Sequence, residues 1–162
     1  MIKNKIHKML AVLLVFMLLV VSMVACSSKP KEVNALTGSY DEMVEYLTEK
    51  GYISKDAKPV NINETKGYLT DNTGGEFTET HIADKANDYD GLWLFWWDQE
   101  NQSDYYAVYN DMKVNAGTIL LGGGAAMLPT SAQNGAFAIA FSEDFANKDA
   151  VIADFKGLSN SK

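Results

Sequence analysis

The sequence predicts an α+β fold, a single small domain over residues 38–162 with a mixed or antiparallel sheet and about three helices. Three patterns carry this expectation. Ser39–Lys50 has the apolar period of a helix together with start and stop signals. Leu92–Trp97 is an unbroken apolar run, the mark of a strand covered on both faces. A strand-then-helix pattern also occurs twice, over residues 92–112 and 136–156, which suits two strand–helix units in one sheet.

The first helix is the most fully specified. Ser39 with Glu42 forms a capping box. Tyr40, Met43, Val44 and Leu47 fall at i, i+3, i+4 and i+7, on one stripe. Gly51 stops the helix. Residues 54–63 are polar and contain Pro59, so they read as a connection. Residues 68–70 and 77–82 are strand-prone around the turn residues 71–75, which predicts a hairpin. Ala83–Asp90 reads as a polar loop, and Asp90-Gly91 as a turn into the next strand.

In the second half, Ser103 is placed to cap a helix over Asp104–Met112, with Tyr105, Val108, Tyr109 and Met112 on its inner face. Thr118–Leu121 reads as a strand. Gly122–Gly124 forms a turn, and Ala125–Leu128 reads as one helical turn before Pro129. Ala136–Phe141 alternates alanines with Phe137, Ile139 and Phe141, giving a strand with one small and one large face. Asn147 precedes a last helix, Lys148–Lys156, which Gly157 stops.

The amino end carries a different kind of information. Lys3, Lys5, His7 and Lys8 precede the apolar run Met9–Val21, and Met23-Val24-Ala25-Cys26 comes after it. Charge, apolar stretch and small residues in this order form a secretory signal. With Cys26 at its end, the segment resembles that of bacterial lipoprotein precursors. The lipobox is matched at its last three positions, with Met23 in place of the usual leucine. The resemblance covers residues 1–26 only. It implies cleavage after Ala25, a thioether-linked lipid on Cys26, and a domain on the outer face of the cytoplasmic membrane, or on the outer membrane of a Gram-negative cell. The alternative is an uncleaved span, for which a run of about 17 residues is short. On the lipoprotein reading, residues 1–25 are removed and residues 26–37 are a lipidated cysteine and flexible tether. Eleven tether residues span about 18 Å root-mean-square. Acyl chains at about 0.8 kcal/mol per buried CH₂ then hold the domain at the surface.

Charge and cysteine content exclude several functions. Without its three leading lysines the chain keeps 11 lysines against 21 acidic residues, a net charge of −10. Phosphate backbones repel such a domain, so no nucleic-acid partner is expected. Cys26 is the sole cysteine, which rules out an internal disulfide and a thiolate metal site. His81 is the only histidine past the leader. No catalytic serine motif is present, and no catalytic residue, metal or cofactor is expected. Asp84, Asn87, Asp88 and Asp90 before Gly91 resemble a calcium loop, but the twelfth position of that pattern falls on Trp97 where a carboxylate is required. The Gly122–Gly124 run lacks the remaining residues of a phosphate loop.

The constellation with most chemistry is aromatic. Trp93, Trp96 and Trp97 stand just before Tyr105, Tyr106 and Tyr109, with Asp98, Gln99, Asn101, Gln102 and Asp104 between. Aromatic faces against C–H patches, with planar amides and carboxylates reading hydroxyls, suit a sugar or small polar ligand. Trp97, Asp98, Gln99, Asn101, Tyr105 and Tyr106 are the candidate ligand-binding residues, because they lie nearest the strand's end. The competing reading makes the aromatics core, since alternation puts Trp93, Phe95 and Trp97 on one buried face. The chain is thus expected to be a tethered binding module and not an enzyme. An envelope accessory protein, with an envelope or transporter protein as partner, is the alternative. A hydrolase using two carboxylates in one cleft is the third reading.

Overall fold

The structure, a computed structural model, describes residues 30–63, 82–121 and 126–161. The signal segment, Cys26, His81, Gly122–Gly124 and the hairpin expected over 68–82 (apart from Ile82) lie outside the described residues. Residues 31–162 form one compact unit.

That unit has the small α+β fold expected, with an antiparallel sheet. Among the described residues there are three helices, α1 (Tyr40–Glu49), α2 (Tyr106–Val114) and α3 (Lys148–Lys156). A five-stranded sheet contains β1 (Val60–Asn61), β2 (Lys85–Tyr89), β3 (Leu92–Trp96), β6 (Ala132–Asn134) and β7 (Phe137–Phe141), in the order β1-β2-β3-β7-β6. A separate hairpin pairs β4 (Thr118–Leu121) with β5 (Ala126–Pro129). Every strand pair among the described residues is antiparallel.

β3 takes the central position, as an apolar run without alternation must, because both of its faces are covered. Leu92 and Leu94 point to one face and pack with Met43 and Leu47 of α1 and Val151 and Phe155 of α3. Trp93 and Phe95 point to the other, where Tyr109 and Met112 of α2 and Ile119 and Leu128 of the hairpin cover them. The two strand–helix units are both present. Their strands are antiparallel neighbours, and their helices cover opposite faces.

The register explains the alanines of β7. Trp93 lies opposite Ala140 and Phe95 opposite Ala138, while Leu94 faces Ile139. On the α2 face, large side chains of one strand therefore meet small ones on the next, as close packing requires.

The Ser39–Glu42 capping box forms with both of its bonds present. It satisfies two amides at the start of α1 that would otherwise lack partners.

Several sequence expectations are corrected. Residues 85–89, read as a polar loop, form β2. Its alternation is hidden by polar side chains that are satisfied locally. Asp88 is buried and accepts from the Gly91 amide at 2.6 Å and from Trp93 Nε1 at 2.9 Å. Asn87 donates to the Tyr40 hydroxyl at 2.9 Å. Asp88 thus anchors the hairpin from inside. Asp90 and Gly91 have φ of 51° and 96°, the two positive values of a two-residue turn that favours Asp-Gly. Val60–Asn61, in the polar connection, pairs with β2. Residues 126–129, expected to start as a helical turn, form β5 because pairing with β4 buries Leu128 opposite Ile119. α2 begins at Tyr106, two residues later than expected. The Ser103 hydroxyl accepts from the Tyr105 amide instead of capping a helix at 104. Asn147 precedes α3 in a left-handed conformation and makes no side-chain cap.

Candidate functional site

Past the carboxyl end of β3 the chain turns away from the sheet and opens a groove of about 440 Å³. One wall is the segment 36–39 that leads into α1. The other is the loop 98–102 with Tyr106 at the start of α2, and Trp96 and Ala136 also line it.

Each wall is fixed by local chemistry. On the first, Asn34 Oδ1 accepts from the amides of Leu36 and Thr37 at 2.9 and 3.2 Å, bending the chain. Ala35 is stitched to the sheet end, its amide donating to Ser159 O at 2.6 Å and its carbonyl accepting from Ala136 at 2.8 Å. Gly38 then passes so close to Asn34 that a Cβ there would lie 2.6 Å from its carbonyl oxygen, so only glycine fits. The Gly38 carbonyl accepts from Trp96 Nε1 at 3.3 Å, which orients the indole.

On the second wall, Asp98 organises its own loop. Its Oδ1 accepts from the amides of Glu100 and Asn101 at 2.9 and 3.1 Å, and its Oδ2 from Asn101 Nδ2 at 2.6 Å. The Asn101 side chain, and after it the Asn101 amide, holds the Asp98 carboxyl below the usual carboxylate range. Asp84 Oδ2 receives the Asp98 amide at 2.8 Å, and Gln99 Nε2 donates to Trp97 O at 3.0 Å. Gln102 closes the turn with φ of 41°, a value uncommon for a side chain of its size.

Behind this wall runs a series of rings. Phe95 lies 6.2 Å from Trp97, Trp97 5.5 Å from Tyr109, and Tyr109 5.4 Å from Tyr106, centroid to centroid. The first three are buried and the last lines the groove. Trp97 therefore supports the site without reaching it.

Of the six candidates from sequence, Asp98, Gln99 and Tyr106 line the groove. Asn101 is exposed and acts through Asp98. Tyr105 is half-buried against the α2-side core. Trp97, a candidate for its nearness to the strand's end, is instead core as the competing reading has it: it is 0 % exposed, its Nε1 donating to Ile82 O at 3.0 Å. Alternation carries its ring inward past the last strand residue, with Trp93 at 3 % on the same side. Sequence reasoning missed Trp96, which stands on the opposite face and is half-buried in the groove. It also missed residues 36–39 and Glu100, and it placed Gln102 in the constellation without making it a candidate. The signal for Trp96 was present in the alternation that buries Trp97. The fold alone could bring residues 36–39 to the same place.

The carboxylates of Asp84 and Asp88 in the acid-rich segment 84–90 are spent on separate local bonds. Asp88 is committed to Trp93 and the turn, Asp84 to the Asp98 amide, and among the described residues no group of three metal-ligating side chains converges. No helix among the described residues is long and apolar enough to cross a membrane. No protein-family model, curated protein or solved structure matches the chain.

Proposed function

We propose that the chain is a lipid-anchored extracytoplasmic lipoprotein whose domain binds a small polar ligand or glycan in the groove past β3. The observation that carries the binding reading is the shared lining of one groove by Trp96, Tyr106, Gln99 and Gln102. Two aromatic side chains provide apolar faces, and two carboxamides provide donors and acceptors in a plane. Tyr106 is held from behind by the buried aromatic series, Trp96 by its bond to the Gly38 carbonyl and the walls by their own turns, so little ordering would oppose binding.

The anchor reading is supported by residues 1–26. Intact-mass measurement on the membrane fraction should give residues 26–162 carrying diacylglycerol, and Cys26→Ser should leave the leader attached. An unmodified thiol with residues 1–25 still present would overturn this part.

Ligand binding is tested by titrating a saccharide panel into the full-length protein in detergent micelles by calorimetry. A binding sugar should lose about tenfold in affinity on Trp96→Ala, roughly the worth of one stacking face. A sugar that binds equally well to the variant would move the site elsewhere.

The accessory-protein reading is favoured by the α2–hairpin side, where Val114 is 81 % and Met127 66 % exposed. Crosslinking in cells through these two positions should then trap an envelope protein. The groove also contains two carboxylates, Asp98 and Glu100, as a hydrolase would need. Asp98, however, is held ionised by its own loop, which makes it a poor general acid.

A further inference from the structure

The groove has a charge as well as a shape, and we propose that its ligand bears an ammonium group, protonated or quaternary, seated against Trp96 and Tyr106 and facing Asp98 and Glu100. The inference rests on the groove being the binding site and adds the chemical class of what enters it.

Two independent features of the lining agree on this. The first is its aromatic content. Trp and Tyr faces attract a cation through the ring quadrupole, by about 0.5–2 kcal/mol according to desolvation. The second is an uncompensated negative charge. Asp98 and Glu100 line the groove, and among the described residues no lysine does. The lysines of the ion pairs Lys31–Glu42, Lys50–Asp154 and Lys85–Asp41 are all engaged outside the groove. Asp98 receives three hydrogen bonds, but all come from neutral amide groups. Those bonds fix the carboxylate and keep it ionised without cancelling its charge. A neutral sugar could use Gln99 and Gln102 and would leave both charges standing. An anion would be repelled by them. An ammonium satisfies rings and carboxylates together.

The test uses full-length protein in detergent micelles at low ionic strength, with choline as the probe. Its uncharged isostere 3,3-dimethylbutan-1-ol is the comparison, because the two share a shape and differ in charge. Calorimetry or saturation-transfer NMR reads the affinity. Choline should bind at least about tenfold more tightly than the alcohol, and added salt should weaken it by screening. Glu100→Gln should reduce choline affinity by about threefold, and Trp96→Ala by about tenfold. Asp56→Asn removes one charge at an exposed position outside the groove lining and should leave affinity unchanged.

Equal affinity for choline and the alcohol overturns the proposal. So does an Asp56→Asn loss as large as that of Glu100→Gln, which would trace the attraction to the net charge of the domain. If saccharides bind through Trp96 and choline does not, the groove remains a binding site and the ammonium claim alone falls. If neither choline nor any saccharide binds, both claims fall.

Discussion

The two faces of β3 differ in how they end. On the α2 face, Trp93, Phe95 and Trp97 run one after another into core, and the last of them, beyond the strand itself, is still fully buried. On the α1 face, Leu92 and Leu94 are buried, but the series finishes at Trp96, half-buried in the groove. Two adjacent tryptophans of the same chemistry thus have opposite surroundings. The difference lies in the cover each face meets at the strand's end. Beyond Trp97 the chain finds Ile82 and Tyr109 to close over it. Beyond Trp96 it finds the glycine carbonyl of an incoming loop. A sheet covered on both sides opens to solvent at the end where one cover stops short.

That contrast is most directly broken by truncating each tryptophan in turn. Trp97→Ala removes a fully buried ring, its bond to Ile82 O and the support of Tyr109, and should destabilise by about 3–5 kcal/mol. Trp96→Ala should cost within about 1.5 kcal/mol, because its ring is already partly solvated. Urea unfolding of both variants measures the gap. Equal losses would mean that the two rings are not in different environments.

The second contrast concerns β7, whose alanines face the large side chains of β3. Ala138 is fully buried opposite Phe95. Ala138→Leu should cost about 1–3 kcal/mol by overpacking. Ala153→Leu, on the exposed side of α3, should stay within about 0.5 kcal/mol. If Ala138→Leu were neutral, the α2 face would contain room that the register does not show. Restoring stability by pairing Ala138→Leu with Phe95→Ala would confirm that the two positions share one volume.

The same contrast explains what was legible in the sequence. β7, α1 and α3 were readable because each carries one periodicity from end to end, imposed by the core it faces, and β3 because an unbroken apolar run needs cover on both faces. β2 was not, because Lys85-Ala86-Asn87-Asp88-Tyr89 buries an aspartate, and Asp88 is acceptable there only with the Trp93 indole and the Gly91 amide beside it. No local pattern announces partners supplied by the next strand. β5 was missed for a related reason, since its pairing with β4 outweighs the helical preference of its first residues. The groove was half legible. Asp98, Gln99 and Tyr106 could be inferred from nearness to the strand's end, whereas choosing Trp97 over Trp96 let nearness override alternation. Residues 36–39 had no signal at all, because some sixty residues separate them from Trp96. The bonds of Ala35 to Ala136 and Ser159 bring them there.

The smallest expected effect sharpens the comparison at that same wall. Ser39 both lines the groove and caps α1, its Oγ accepting from the Glu42 amide at 3.3 Å while Glu42 Oε2 accepts from the Ser39 amide at 3.0 Å. Lys31, held to Glu42 at 2.9 Å, and the Ser39 amide keep the Glu42 carboxyl below its ordinary range. The folded state therefore favours ionised Glu42. That contribution is present at neutral pH and is lost as pH falls through the lowered value. Ser39→Ala should destabilise by about 1 kcal/mol, measured by thermal unfolding at neutral pH, and should weaken groove binding because the cap sets the register of residues 36–39. Glu42→Gln keeps the shape of the box and removes the titration, so it should abolish the acid-side part of the loss and leave binding at neutral pH nearly intact. If Ser39→Ala lowered stability without touching binding, the wall would be held by Asn34 and Ala35 alone, and the opening at Trp96 would depend on the sheet end and not on the helix cap.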